Sequence, residues 1–473
     1  MTDPLSLTAL AQSDALSRGT LSATELMEAT LARIAAVNPS VNAIVSLRDV
    51  AALLADARAA DAAPRTGWLH GIPIAIKDLA HARGLPTSMG SPVFAGQVAQ
   101  ADDIMVARLR AAGAIIIGKT NTPEFGLGSH SINPVFGATK NPYDTARSAG
   151  GSSGGAGVAL ACGMVTVADG SDMMGSLRNP AGWNNVYGMR PSWGRVPSEP
   201  MGDSFLHQLS TNGPMARTPA DLAALLDTMA GSDPRQPHGV DAPPTLPQIG
   251  GGAQGMRLGW LADWGGALPM EDGVLALCRS ALEQMAQLGV TIDALVAPFD
   301  RDAIWQSWIT LRSWAVAGGL GALHDNPTTR AQLKDTAIWE IERGHALSAM
   351  EVHRASVTRS EWFKSAATLF ETYDVLALPS AQIWPFDVTL DWPKDIAGTA
   401  MDTYHRWMEV VVPASLLGLP AVCIPAGFGG PHDLPMGVQL IGCRGSDAML
   451  LRLAQAWHDA TDWPARRPPP KVS

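Results

Sequence analysis

The sequence predicts an α/β fold with one large, mostly buried sheet flanked by helices, and three observations predict it. Short apolar runs recur at Ile72–Ile76, Ile115–Ile117, Met164–Ala168, Met256–Trp260, Val290–Leu295, Val375–Pro379 and Val422–Pro425, each suited to a strand buried on both faces. Helical patterns stand between them, as over 271–287 and 446–459, and such alternation marks layered α/β folds. Hydrophobic residues make up 46% and charged residues 16% of the 473, so most of the chain can bury a core.

Taken in order, Ser22-Ala-Thr-Glu25 reads as a capping box opening a helix, with Leu26, Met27, Thr30, Leu31 and Ile34 on one face and Asn38-Pro39 as its stop. An alanine-rich helix follows over about 48–62, which makes residues 1–65 a helical segment ahead of the first strand-like run. The Pro- and Gly-rich stretch Ser232–Gly255 reads as a surface linker, and residues 464–473 as a loose tail.

Charge and cysteine usage exclude several function classes. Lys and Arg number 34 against 44 Asp and Glu, a formal charge of −10, so no basic nucleic-acid footprint is present. Cys162, Cys278, Cys423 and Cys443 lie far apart, with no C-x-x-C pair and no Cys/His cluster at zinc spacing; neither a metal site nor a disulfide scaffold is expected. The N-terminus lacks a basic region leading into an apolar stretch, and the apolar stretch Val410–Phe428 is broken by Pro413, Pro420 and Pro425. A cytoplasmic protein with no membrane partner is the expectation.

Two motif strings are set aside on context. Gly113–Thr120 fits G-x-x-x-x-G-K-T, but an Ile run separates the glycines and Pro123 follows, so a strand ending in a turn is expected rather than a phosphate loop. Gly150-Gly-Ser152-Ser153-Gly154 contains G-x-S-x-G, yet Asp144–Ala149 before it is polar and small, unlike the strand that leads into a nucleophile elbow. Composition alone would allow a Ser/Gly linker there. The compact apolar run Ala156–Cys162 argues instead for a loop opening a buried helix, with backbone N–H groups and two hydroxyls gathered at its N-terminus. Taken singly, Lys77 is a solvated strand end, and Asp172–Ala181, which contains Ser176, is a turn with an Asp172–Arg178 ion pair.

In combination these pieces resemble the amidase signature family, and the resemblance runs over nearly the whole chain. The family's ordered segments are matched by GIPIAIK ending at Lys77, GKTNTPEFG over 118–126, GGSSGG over 150–155 and DMMGSLRNPA over 172–181. Further on, Gly213–Thr218, Gly418-Leu-Pro-Ala421 and Leu434–Gly442 resemble its later segments. The resemblance implies one domain over 1–473 built on a large twisted mixed sheet, no cofactor, and a Ser-Ser-Lys triad. Ser176 matches the nucleophile, Ser152 the bridging serine after a cis peptide, and Lys77 the general base. Backbone N–H groups of Met173, Met174, Gly175 and Ser176 match the oxyanion hole, and Asp172 and Arg178 are expected to fix the loop. Such chemistry is physically coherent, because a lysine neutralised by burial can take a serine proton through an intermediate hydroxyl.

The implied activity is amide C–N cleavage through a serine acyl-enzyme on a small-molecule substrate, cyclic amides, anilides, esters and carbamates included. Hydrolases of nylon oligomers and aryl amides fall within that range, and a homodimer is compatible with it. The alternative is a glutamine-hydrolysing amidotransferase subunit that works with partner chains in tRNA charging; a catalytically silent member and a histidine-dependent hydrolase using one of 11 histidines rank lower. Met173 and Met174 stand where many members have Thr and Gly, so either φ at 174 is negative or the oxyanion hole differs in detail. Asn184-Asn185 is a lesser departure. The two thioethers offer no strong donor to a charged substrate group, which favours uncharged apolar or aromatic amides over glutamine, provided that no arginine from the unassigned half of the chain reaches the pocket. The Trp-rich segment Trp305–Trp339 and the stretch Gln382–His405 are candidate pocket walls, although aromatics there are more often core.

Overall fold

The computed structural model describes residues 3–200 and 202–470. Eight strands form the main sheet in the spatial order Thr291–Ala294, Arg257–Trp260, Val375–Pro379, Leu434–Gly442, Ala421–Gly429, Tyr187–Arg190, Thr211–Ala216 and Val167–Asp172. Arg257–Trp260 runs parallel to both neighbours and the remaining ladders are antiparallel, so the sheet is mixed. Five of the seven apolar runs enter it. The other two, Pro73–Lys77 and Ile115–Thr120, pair in parallel in a separate three-stranded sheet edged by Ile44–Val45. A side chain links the two sheets: Lys77 N–H donates to Asp169 Oδ1 at 2.9 Å.

The run expected as a strand from Met164 starts later, at Val167, and continues to Asp172. Met164 N–H still closes the preceding helix on Ala159 O. Polar residues extend the strand because Asp169, Ser171 and Asp172 all find buried partners. Gly113–Thr120 is a turn and a strand, and Asp144–Ser148 forms a two-stranded ribbon with Lys140–Asn141 and an isolated bridge to Asp387, outside the main sheet. The Gly-rich loop opens the fully buried start of helix Gly154–Ala161. Gly155 lets that helix lie directly on the Asn121 backbone and the Ala43 carbonyl, where a Cβ would overlap both.

Two N- and C-terminal expectations need correction. The capping box at Ser22 and Glu25 is formed, but the helix runs through Pro39 to Val41. Pro39 falls in the last turn on the exposed side, where the carbonyl it leaves unpaired can meet water. Residues 464–467 are not loose. Trp463–Arg466 forms a short helix, and the Asn185 amide donates to Trp463 O and Arg467 O, while Tyr143 Oη donates to Arg467 O at 2.9 Å. Asn185 thus anchors the C-terminus; residues 471–473 of the expected tail lie outside the described residues. Among the described residues no helix is long and apolar enough to cross a membrane.

Candidate active site

Lys77 ends a strand that is buried throughout, which carries its side chain into the interior. Its Nζ donates to Ser152 Oγ at 2.8 Å, Ser153 Oγ at 2.9 Å and Ser171 Oγ at 3.0 Å. With hydroxyls rather than a carboxylate against the amine, burial lowers its pKa to about 7, opposed by the more distant charges of Asp169 and Asp172. Burial also raises Asp169 to about 6. Ser152 follows a cis peptide bond from Gly151. Ser176 lines the same cavity as Ser152, although no hydrogen bond joins the two hydroxyls among the described residues. Nor does a histidine hydrogen-bond to either serine among those residues.

The loop that carries Ser176 is held by a buried ionic cluster. Asp172 Oδ1 accepts from Gly175 N–H at 2.9 Å and Oδ2 from Leu177 N–H at 3.2 Å. Arg178 meets the carboxylate through Nε and Nη2, both at 3.0 Å, and Arg190 lies 3.2 Å from it. Against the penalty of burial, the two guanidiniums hold the Asp172 carboxyl far below the usual carboxylate range. Gln439 explains the glutamine of the later segment: it accepts from Arg178 and donates to Pro379 O and Val410 O. The expectation that Gly175 supplies an oxyanion donor is corrected, because its N–H is committed to Asp172. Gly175 has φ 77°, and a Cβ there would meet Val411 Cγ1 at 2.9 Å; only glycine suits both constraints. Met174 is not among the residues with positive φ, so methionine sits there without backbone strain.

A cavity of about 300 Å³ opens over Ser152 and Ser176, at the small end of ligand sites. Leu79, Met89, Phe125, Leu127, Met173 and Met174 form much of its wall. Met89 and Phe125 both have φ 53° and are joined by Phe125 N–H to Met89 O at 2.8 Å, a backbone arrangement that costs energy and is common at functional sites. Helix Arg301–Asp325 supplies the opposite wall through Arg312, Ala315, Val316, Gly319 and Leu320, spaced as one helical face. The candidate segment 305–339 therefore does line the cavity, though not through Trp305 and Trp308, which are core, or Trp339, which is partly exposed. From the second candidate stretch, His405 reaches the cavity.

The condition that no arginine reaches the pocket is therefore not met, because helix geometry brings Arg312 there. Its charge is balanced by Glu340, whose Oε1 accepts from Arg312 Nε at 2.7 Å with both groups buried. Sequence reasoning did not single out Ser153, Ser171 or Glu340, and it reached Arg312 and His405 only as members of the broad candidate stretches 305–339 and 382–405. Ser153 lay inside the quoted loop, whereas the others have no motif around them.

A buried lysine among serine hydroxyls thus lies beneath a largely apolar cavity lined by Ser152 and Ser176 of the quoted segments. The amidase family profile matches residues 25–451, and the chain belongs to that family as an amidase signature amidohydrolase. It is 33% identical to an acylamidase of Rhodococcus erythropolis, covering 98% of this chain and 97% of the relative. It is 35% identical to a glutamyl-tRNA(Gln) amidotransferase subunit of Chloroflexus aggregans, with 99% of each covered. The solved structure of a bacterial aryl acylamidase superposes with a TM-score of 0.90 at 26% identity, covering 98% of this chain and 99% of that one.

Proposed function

We propose that this chain hydrolyses small uncharged amides with apolar or aromatic groups near the scissile bond, using Ser176, Ser152 and Lys77. The observation that carries the chemistry is the Lys77 Nζ to Ser152 Oγ distance of 2.8 Å at a wholly buried amine. Neutral Lys77 takes the Ser152 proton as Ser152 takes that of Ser176, and Ser176 Oγ attacks the amide carbon. N–H groups of Met173, Met174 and Ser176 stabilise the oxyanion. The relay then runs backward to protonate the leaving amine, and water cleaves the acyl-enzyme by the same path. Asp172 and Arg178 act on this loop as positioning residues.

Selectivity follows from the wall. Its single ionised side chain among the described residues, Arg312, is already matched by Glu340. Free glutamine brings a carboxylate and an ammonium group, and burying unpaired charge costs several kcal/mol, against about 0.8 kcal/mol gained per buried methylene. A simple aryl or alkyl amide is therefore expected to show a higher kcat/KM than glutamine on the purified chain. The second reading, that of an amidotransferase component, is favoured by Arg312, a cation a substrate carboxylate could approach, and by likeness to such proteins. A clear preference for glutamine in that comparison would establish it instead.

The pH dependence follows from Lys77. Burial lowers its pKa to about 7, so the amine gains basic form as pH rises. The neutral fraction should climb from about one tenth at pH 6 to about nine tenths at pH 8, and kcat/KM with it. A limb near pH 6.5 that persists in Lys77→Ala would point to histidine and remove lysine from the mechanism.

A further inference from the structure

Two of the three Arg312 nitrogens are engaged. Nε donates to Glu340 and Nη2 to Tyr404 Oη at 2.8 Å, while among the described residues Nη1 has only the Met173 thioether, at 3.2 Å. A thioether is a weak acceptor, so Nη1 keeps unmet donor capacity on a cavity wall that is otherwise largely apolar. His405 lines the same cavity, fully buried, with neither ring nitrogen hydrogen-bonded among the described residues. Buried polar groups of this kind ordinarily have partners.

We propose that Arg312 Nη1 is a specificity determinant that takes a neutral hydrogen-bond acceptor of the substrate, a second carbonyl or similar oxygen outside the scissile amide. This rests on the reading of the cavity as a site for uncharged amides. The acceptor is neutral because the local charge is already balanced. Glu340 accepts from Arg312, from Ser313 Oγ at 3.1 Å and from Tyr404 Oη at 2.8 Å. Burial opposes its ionisation, but Arg312, the neighbouring His405 and the Tyr404 hydroxyl keep its carboxyl below the usual range. A substrate carboxylate would leave the buried cluster with an excess negative charge, whereas a carbonyl gains a charge-assisted hydrogen bond and adds none. Met173 is flexible enough to yield the position. Its backbone N–H belongs to the proposed oxyanion hole, which places the second acceptor close to the scissile carbonyl.

Calorimetric titration of the Ser176→Ala protein with matched neutral amides tests this. In each pair one chain CH2, on the acyl or the amine side, is replaced by a ketone, and a third compound carries a carboxylate there. The ketone is expected to bind about tenfold or more tightly than its parent on at least one side, and more tightly than the carboxylate. Removing both buried charges together, in Arg312→Gln with Glu340→Gln, should bring the ketone-to-parent ratio to about one. The ratio in the Ser176→Ala protein needs no change at Arg312, so a poorly folded double variant does not decide the matter. Equal binding within every pair overturns the inference while binding of the parents still supports the uncharged-amide reading. Best binding by the carboxylate overturns the inference and the proposed selectivity. Failure of every parent and ketone to bind overturns both.

Discussion

Ser176→Ala is expected to lower kcat/KM for a neutral aryl amide by at least about 10⁴-fold while leaving the fold intact. Ser176 lines the cavity and is 5% exposed, and the substitution takes away one oxygen from a residue otherwise held by its backbone, whose carbonyl accepts from Ser153 N–H at 3.2 Å. Lys77, Ser153 and Ser171 keep their hydrogen bonds, so circular dichroism and thermal unfolding should match the parent. Residual turnover would come from the remaining N–H donors and from substrate positioning. Retention of most activity would transfer the nucleophile's role elsewhere, with Ser152 the nearest hydroxyl on the Lys77 amine.

Asp172→Asn carries the largest expected effect on stability. Two fully buried guanidiniums, Arg178 and Arg190, share this one carboxylate. Removing one member of a buried ionic cluster leaves uncompensated charge and typically costs about 3–5 kcal/mol. An amide also cannot accept at both positions from Gly175 and Leu177 N–H, so the loop before Ser176 loses one of its two fixings. Denaturant unfolding should therefore show the loss, and kcat should fall with it in any protein that still folds. The sign with pH is set by the lowered Asp172 pKa: its stabilisation is complete above the unfolded value of about 3.9 and is lost only as pH falls toward the lower folded value. Near-normal stability of the variant would show that the arginines find other partners.

The parts of this protein visible in sequence were those encoded in contiguous segments. Lys77, Ser152 and Ser176 each sit in a quotable string, and the structure brings Ser152 and Ser176 to one cavity with Lys77 hydrogen-bonded to Ser152. The apolar runs marked most strands of the main sheet because β-branched and aliphatic residues were enough to bury both faces. Tyr187–Arg190, Thr211–Ala216 and Leu434–Gly442 escaped because strands with arginine, glycine or proline look like loops until their partners are known. Arg190 is tolerable inside the sheet only because Asp172 arrives from 18 residues away. The far wall was legible only as the broad candidate segment 305–339, for a related reason. Positions 312, 315, 316, 319 and 320 form a helical face, but the same stripe includes Trp305 and Trp308 deeper in the core. Tryptophan content marked the segment without showing where core ends and cavity begins. The commitment of Gly175 N–H to Asp172 was likewise a matter of loop geometry that no spacing reveals.

The central claim is that Ser176, activated through Ser152 by Lys77, is the residue acylated. Reaction of the purified chain with a phosphonylating reagent, followed by peptide mass spectrometry, tests it most directly. A single adduct on Ser176, lost in Ser176→Ala and strongly slowed in Lys77→Ala, is the predicted result; an adduct on Ser152 that persists in Ser176→Ala would contradict it.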